Sequence, residues 1–138
     1  MMEPNAFLDT NVLLRQVLQD HADHSPRAMA FIVAVEQGER AVRLTDTVVF
    51  EAVFTLEKTY GVPRADIRDA LQPVLDLPGV VLPGKRLFHE VFGLYVQEAG
   101  LSFADCYHAT TAKHLGLATF LSFDRKIGRI EGITRIEP

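Results

Sequence analysis

The chain has 138 residues, 48% of them hydrophobic, enough for one domain with a core of its own and too few for two comfortable ones, so a single domain over residues 1–138 is expected. A formal net charge of −4 excludes a protein that grips nucleic acid mainly through a global basic field, and any such partner needs local evidence. The start, Met1-Met2-Glu3-Pro4-Asn5, lacks signal-peptide form, and the longest apolar run, Ala28 to Val35, is far below membrane-spanning length; a soluble, cytoplasmic protein with no membrane partner is expected.

In chain order, Ala6 to Leu8 reads as a short buried strand, after which Thr10 or Asn11 opens a helix through about Leu18, with Asp9 at the switch. Ser25-Pro26 is an N-cap and first-turn pair for an apolar helix running to Glu36 or Gln37, where Gly38 stops it. Ala41 to Leu44 gives a second strand. Thr45 and Asp46 then cap a helix that ends near Tyr60, with Gly61 beyond it and Glu51 in its first two turns. Pro63 starts a helix over about Arg64 to Asp76, and Pro78-Gly79 breaks the chain before a third strand, Val80 to Leu82. Lys85 to Glu98 reads as helix, Ser102 caps another to about Leu115, and Ala118 to Leu121 is a fourth strand followed closely by Asp124. A brief turn around Arg125 to Ile127 leads through Gly128 and Gly132 to a last strand, Ile133 to Ile136. Short apolar strands alternating with helices indicate an α/β fold with a mainly parallel sheet covered on both faces. Functional groups in such folds gather outside the carboxyl ends of the strands.

Four acids stand at or near that predicted edge, each within or beside an apolar run: Asp9, Glu51, Asp105 and Asp124. A carboxylate pressed among apolar side chains needs compensation, and a divalent cation would supply it if the four converge. Each also has a purely structural reading. Asp9 can be an Asx-turn or cap, and Asp105, three residues after Ser102, fits a capping box. Asp124 can cap the turn that follows it, and Thr47, Glu51, Thr55 and Lys58 form a polar helix stripe that would be solvated. The common placement of all four is what favours function.

Through Phe7-Leu8-Asp9-Thr10-Asn11-Val12-Leu13-Leu14, Glu51, Ser102-Phe103-Ala104-Asp105 and Leu121-Ser122-Phe123-Asp124, the chain resembles the PIN-domain superfamily over essentially its whole length. Within it, the resemblance is to the VapC-type ribonuclease toxins of prokaryotic toxin–antitoxin pairs. It implies a PIN-like three-layer α/β/α sandwich with a short, mainly parallel central sheet. It matches Asp9, Glu51, Asp105 and Asp124 to the family's acidic residues and Asn11 and Ser122 to polar positions beside them, with Mg2+ or Mn2+ as the metal. The fourth acidic position is the least uniform in the family, which leaves part of the role of Asp124 open to Ser122. RNA as substrate, a cognate antitoxin as protein partner and a homodimer are implied as well. Such antitoxins wrap an apolar groove, which would suit the helix faces near Ala28 to Val35 and Val48 to Leu56.

The chemistry agrees with the resemblance. Magnesium takes hard oxygen ligands and is commonly held by one or two carboxylates plus substrate phosphate, so Asp9 and Asp105 are the first choices as direct ligands. Glu51 and Asp124 then act through water, support a second ion or orient the nucleophile, in a metal-dependent endoribonuclease. Arg125, Lys126 and Arg129 are candidate RNA contacts, whereas Lys85 and Arg86 read as solvated surface charge. His21, His24, His89, His108 and His114 read as surface or hydrogen-bonded histidines, and Cys106 as a packed thiol that can form no internal disulfide. Two rivals stand beside the nuclease. One is a PIN-like protein- or RNA-binding module without catalysis. The other is phosphotransfer through an aspartyl-phosphate on Asp9, disfavoured because Asn11 stands where related phosphatases carry a second aspartate.

Overall fold

A computed structural model describes residues 3–138; Met1 and Met2, part of the start segment weighed above as a signal peptide, lie outside the described residues. The described chain forms six α-helices and four short strands in two compact units, one reaching to Lys85 and one beginning at Arg86. The α/β class and the alternation of helix with parallel strand are as the sequence predicts.

The first unit holds α1 (Thr10–Leu18), α2 (His24–Glu36), β1 (Val42–Arg43), α3 (Asp46–Phe54), α4 (Arg64–Leu75) and β2 (Val80–Val81). Its centre is β1, whose successive amides alternate between two neighbours. The Val42 and Leu44 amides donate to Gly79 O and Val81 O at 2.8 and 3.0 Å, while the Arg43 amide donates to Ala6 O at 2.9 Å and Arg43 O accepts from the Leu8 amide at 2.8 Å. Both pairings are parallel, so the Phe7 segment, β1 and β2 end at one edge. Asp9 and Thr45 follow directly at that edge. Gly79 is needed where the chain turns into β2, because a Cβ there would lie 2.9 Å from Arg40 O and 2.9 Å from Val35 Cγ1. Leu13, Leu44, Val49, Leu56, Ile67, Leu71 and Val80 are almost wholly buried.

The second unit holds α5 (Leu87–Gln97), α6 (Phe103–His114), β3 (Thr119–Leu121) and β4 (Thr134–Ile136), with β3 and β4 parallel and a 3-10 turn, Arg125–Arg129, between them. Phe88, Phe92 and Tyr95 of α5 cluster with Phe103 of α6, the closest ring centroids being Phe92 and Phe103 at 4.9 Å. That cluster anchors the N-terminal end of α6, worth about 0.5–1.5 kcal/mol per aromatic pair beyond burial.

Three local expectations are corrected. Ser25 is not the N-cap of α2, which begins one residue earlier. The His21 Nδ1 accepts from the Asp23 and His24 amides at 3.2 and 2.9 Å, and the Ser25 hydroxyl, buried, accepts from the His21 amide at 3.2 Å. A side-chain acceptor three residues before His24 thus starts the helix before serine can, and Pro26 is tolerated because first-turn amides have no helical partner anyway. The third helix does not run uniformly to Tyr60 but widens into a π-helical turn, Thr55–Thr59, closed by the Tyr60 amide on Thr55 O at 3.2 Å. Lys85 is neither helical nor a solvated charge, because its Nζ donates to Leu77 O at 2.9 Å and Val80 O at 2.8 Å. No helix among the described residues is long and apolar enough to cross a membrane.

Candidate functional site

Asp9 is the N-cap of α1, with extended backbone, and its Oδ2 accepts from the Asn11 amide at 3.3 Å. Glu51 lies more than a turn into α3, and its Oε2 accepts from Thr10 Oγ1 at 3.1 Å. Thr10 is itself buried and immediately follows Asp9, so this bond holds Glu51 beside the end of the Phe7 segment. The first unit therefore brings two of the acids to one place. Thr10 is the residue that sequence reasoning missed as part of the site. Its position after the aspartate, at a strand-to-helix switch, was the available signal.

In the second unit Ser102 and Asp105 form a reciprocal capping box. The Asp105 amide donates to Ser102 Oγ at 3.1 Å and Asp105 Oδ2 accepts from the Ser102 amide at 3.2 Å. Asp124 is the N-cap of the 3-10 turn, its Oδ1 accepting from the Lys126 amide at 2.9 Å, while Ser122 Oγ accepts from the Asp124 amide at 3.0 Å. Arg135 Nη1 donates to Ser122 O at 2.9 Å and steadies the loop. Gly100, just before the N-terminus of α6, lies against the 3-10 turn: a Cβ there would meet Lys126 Cδ at 3.5 Å and Arg129 Nη1 at 3.8 Å. Asp105 and the Asp124 turn thus belong to one end of this unit, with Arg125, Lys126 and Arg129 exposed around it.

The structural readings of Asp9, Asp105 and Asp124 are all realised, yet each cap uses one carboxylate oxygen. The second oxygen of each, and Glu51 Oε1, make no hydrogen bond or ion pair with other described residues. The apolar neighbours do not desolvate the four carboxylates: Asp9, Glu51 and Asp124 are exposed and Asp105 is half-buried. The apolar neighbours point elsewhere. Leu8 turns inward where Asp9 turns out, and Val48, Val49, Ala52 and Val53 occupy the core face of α3 opposite Glu51. Among the described residues no three His, Cys, Asp or Glu side chains are grouped closely enough to hold a metal ion. Hard oxygens spared from capping are nevertheless the right donors for magnesium or manganese, which need only one or two carboxylates beside water and phosphate. The histidines are engaged as expected of structural residues: His114 Nε2 lies 2.9 Å from Glu90 Oε1, and His21 and His24 stack at 3.9 Å. Cys106 is buried.

The family model for the PIN domain matches residues 6–133, spanning both units. A VapC ribonuclease of Aquifex aeolicus (strain VF5) is 27% identical over 132 residues, covering 96% of this chain and 96% of that protein.

Proposed function

Because the chain belongs to the PIN domain family, we propose that it is a metal-dependent endoribonuclease, acting as the toxin of a toxin–antitoxin pair. The observation that carries this is the Thr10–Glu51 hydrogen bond beside Asp9. It ties Glu51, from a segment far apart in sequence, to the residue that follows Asp9, an arrangement that capping alone does not require. The expected RNA substrate, antitoxin, homodimer and cytoplasmic setting belong to the same proposal, supported by the likeness to a VapC ribonuclease.

Asp9 and Asp105 are assigned as the direct ligands of Mg2+ or Mn2+, each through the oxygen its cap leaves unbonded. When bound, the cation supplies positive charge against a phosphodiester and makes water easier to deprotonate. Glu51 and Asp124 orient water and accept its proton, with Thr10 fixing the Glu51 carboxylate and Ser122 the Asp124 loop. Asn11 stands beside Asp9 as a polar support, and Arg125, Lys126 and Arg129 offer cations to RNA phosphates.

The test is RNA cleavage by the full chain with magnesium, manganese or chelator, comparing wild type with Asp9→Asn and Asp105→Asn. Cleavage that needs metal and both aspartates is expected. Cutting in chelator, or by either variant at the wild-type rate, would contradict the proposal. A second reading, a PIN module without catalysis, draws on the use of three of the acids as caps. It predicts no cleavage under any metal while RNA or protein binding persists.

A further inference from the structure

Between α1 and α2 lies a groove of about 420 Å³ whose lining includes Asn11, two residues from Asp9. Its volume falls within the range of about 300–1,000 Å³ typical of small-molecule sites. Val12, Ala28 and Phe31 give it an apolar floor, and Arg15, His24 and Arg27 stand on its rim. His24, Arg27, Ala28 and Phe31 repeat at three- and four-residue spacing, so one face of α2 carries Arg27 together with the floor. Phe31 is also held by Arg40, whose guanidinium lies 4.9 Å from its ring centroid and which does not itself line the groove.

The cations differ in their commitments. Arg15 is held by Asp20 at 2.7 Å and by the Tyr60 hydroxyl at 3.4 Å. Arg27 makes a one-turn ion pair with Asp23 at 3.2 Å, and its side chain is 74% exposed. Pairs of that kind contribute only about 0.3–0.5 kcal/mol, so a phosphate can displace the aspartate. The exposed large hydrophobic residues of α2, Met29 and Val33, lie on the opposite face from the groove.

We propose that this groove is a subsite for one nucleotide of single-stranded RNA beside the scissile phosphate, its base on the Val12, Ala28 and Phe31 floor and its backbone phosphate on Arg27. The inference rests on the nuclease reading of the Asp9 site, which the groove adjoins. An acidic chain with a net charge of −4 would then hold its substrate through a locally placed cation, Arg27.

Binding of fluorescein-labelled single-stranded RNA to the full chain in chelator, followed across a salt series, tests this without turnover. Arg27→Gln should weaken binding several-fold and lower the salt-dependence slope by about 0.7, the value for one lost phosphate contact on a single strand. Arg68→Gln, a like change on α4 beside Asp69, should alter neither. RNA carrying 4-thiouridine should photocrosslink to the α2 segment. Equal effects of the two substitutions, or none, would overturn the subsite. So would an Arg27→Gln variant that binds RNA normally but no longer binds a protein partner, which would make the groove a protein-docking surface. Adding magnesium reads the catalytic proposal separately. RNA held in the groove but never cut would sink the nuclease and leave the subsite, whereas normal cutting with unchanged Arg27→Gln binding would sink the subsite alone.

Discussion

Asp9, Asp105 and Asp124 each cap through one oxygen and leave the other unbonded, and substitutions can separate capping from the metal ligation proposed for them. Asparagine caps a helix about as well as aspartate, so Asp9→Asn should keep stability within about 0.5 kcal/mol, whereas Asp9→Ala should cost about 1 kcal/mol. Urea unfolding checks both figures. RNA cleavage should fall roughly a hundredfold or more in both variants, since charge stabilisation by a bound metal is worth several kcal/mol. Loss of activity only in the alanine variant would mean that Asp9 is a cap and nothing more. Thr10 gives a second test, because its hydroxyl reaches Glu51 from a buried position. Thr10→Val keeps the shape and removes the donor, so it should cost about 0.5–1.5 kcal/mol and slow cleavage, while Thr10→Ser should retain most of the rate. Matching rates for valine and serine would remove Thr10 from the site.

At the scale of elements, most of the fold was legible and the exceptions have physical causes. The capping box at Ser102 and Asp105, the start of α1 after Asp9 and the parallel pairing of short apolar strands all follow from local chemistry that sequence displays directly. The start of α2 was misread because histidine is not the residue expected to cap a helix, yet His21 Nδ1 lies where an acceptor is needed. The π-helical turn Thr55–Thr59 leaves hydrophobic spacing nearly unchanged, so periodicity does not reveal it. Lys85 was read as solvated because a lone lysine after a strand usually is, whereas here it satisfies two carbonyls of the turn into β2. Burial holds its ammonium below the usual lysine range, with Asp76 partly offsetting the effect. The unfolded chain therefore keeps this proton to higher pH than the folded one, and the contribution of Lys85 to stability should rise as pH climbs from the lowered value toward 10.5. Lys85→Met does not titrate, so unfolding curves at neutral pH and near pH 10 should move in favour of wild type relative to this variant. A constant difference would show that the amine is not desolvated.

At the scale of the molecule, the match to the PIN domain spans two compact units, and the four acids divide evenly between them: Asp9 and Glu51 in one, Asp105 and Asp124 in the other. The capping positions of Asp9, Asp105 and Asp124 were legible because each stands at a helix or turn start, whereas Glu51 lies within α3. Their apolar sequence neighbours do not desolvate them, since sequence adjacency says little about which way a side chain turns. The Thr10–Glu51 bond was hidden for a related reason, being a contact across 41 positions that no local pattern records. The acidic net charge makes metal central to the account, because carboxylates without a cation repel the phosphates they are proposed to cut. Calorimetric titration of manganese into the full chain, wild type beside Asp9→Asn and Asp105→Asn, measures this directly. Saturable binding by wild type that is lost or greatly weakened in both variants is the predicted result; no binding by wild type, or equal binding by all three, would contradict it.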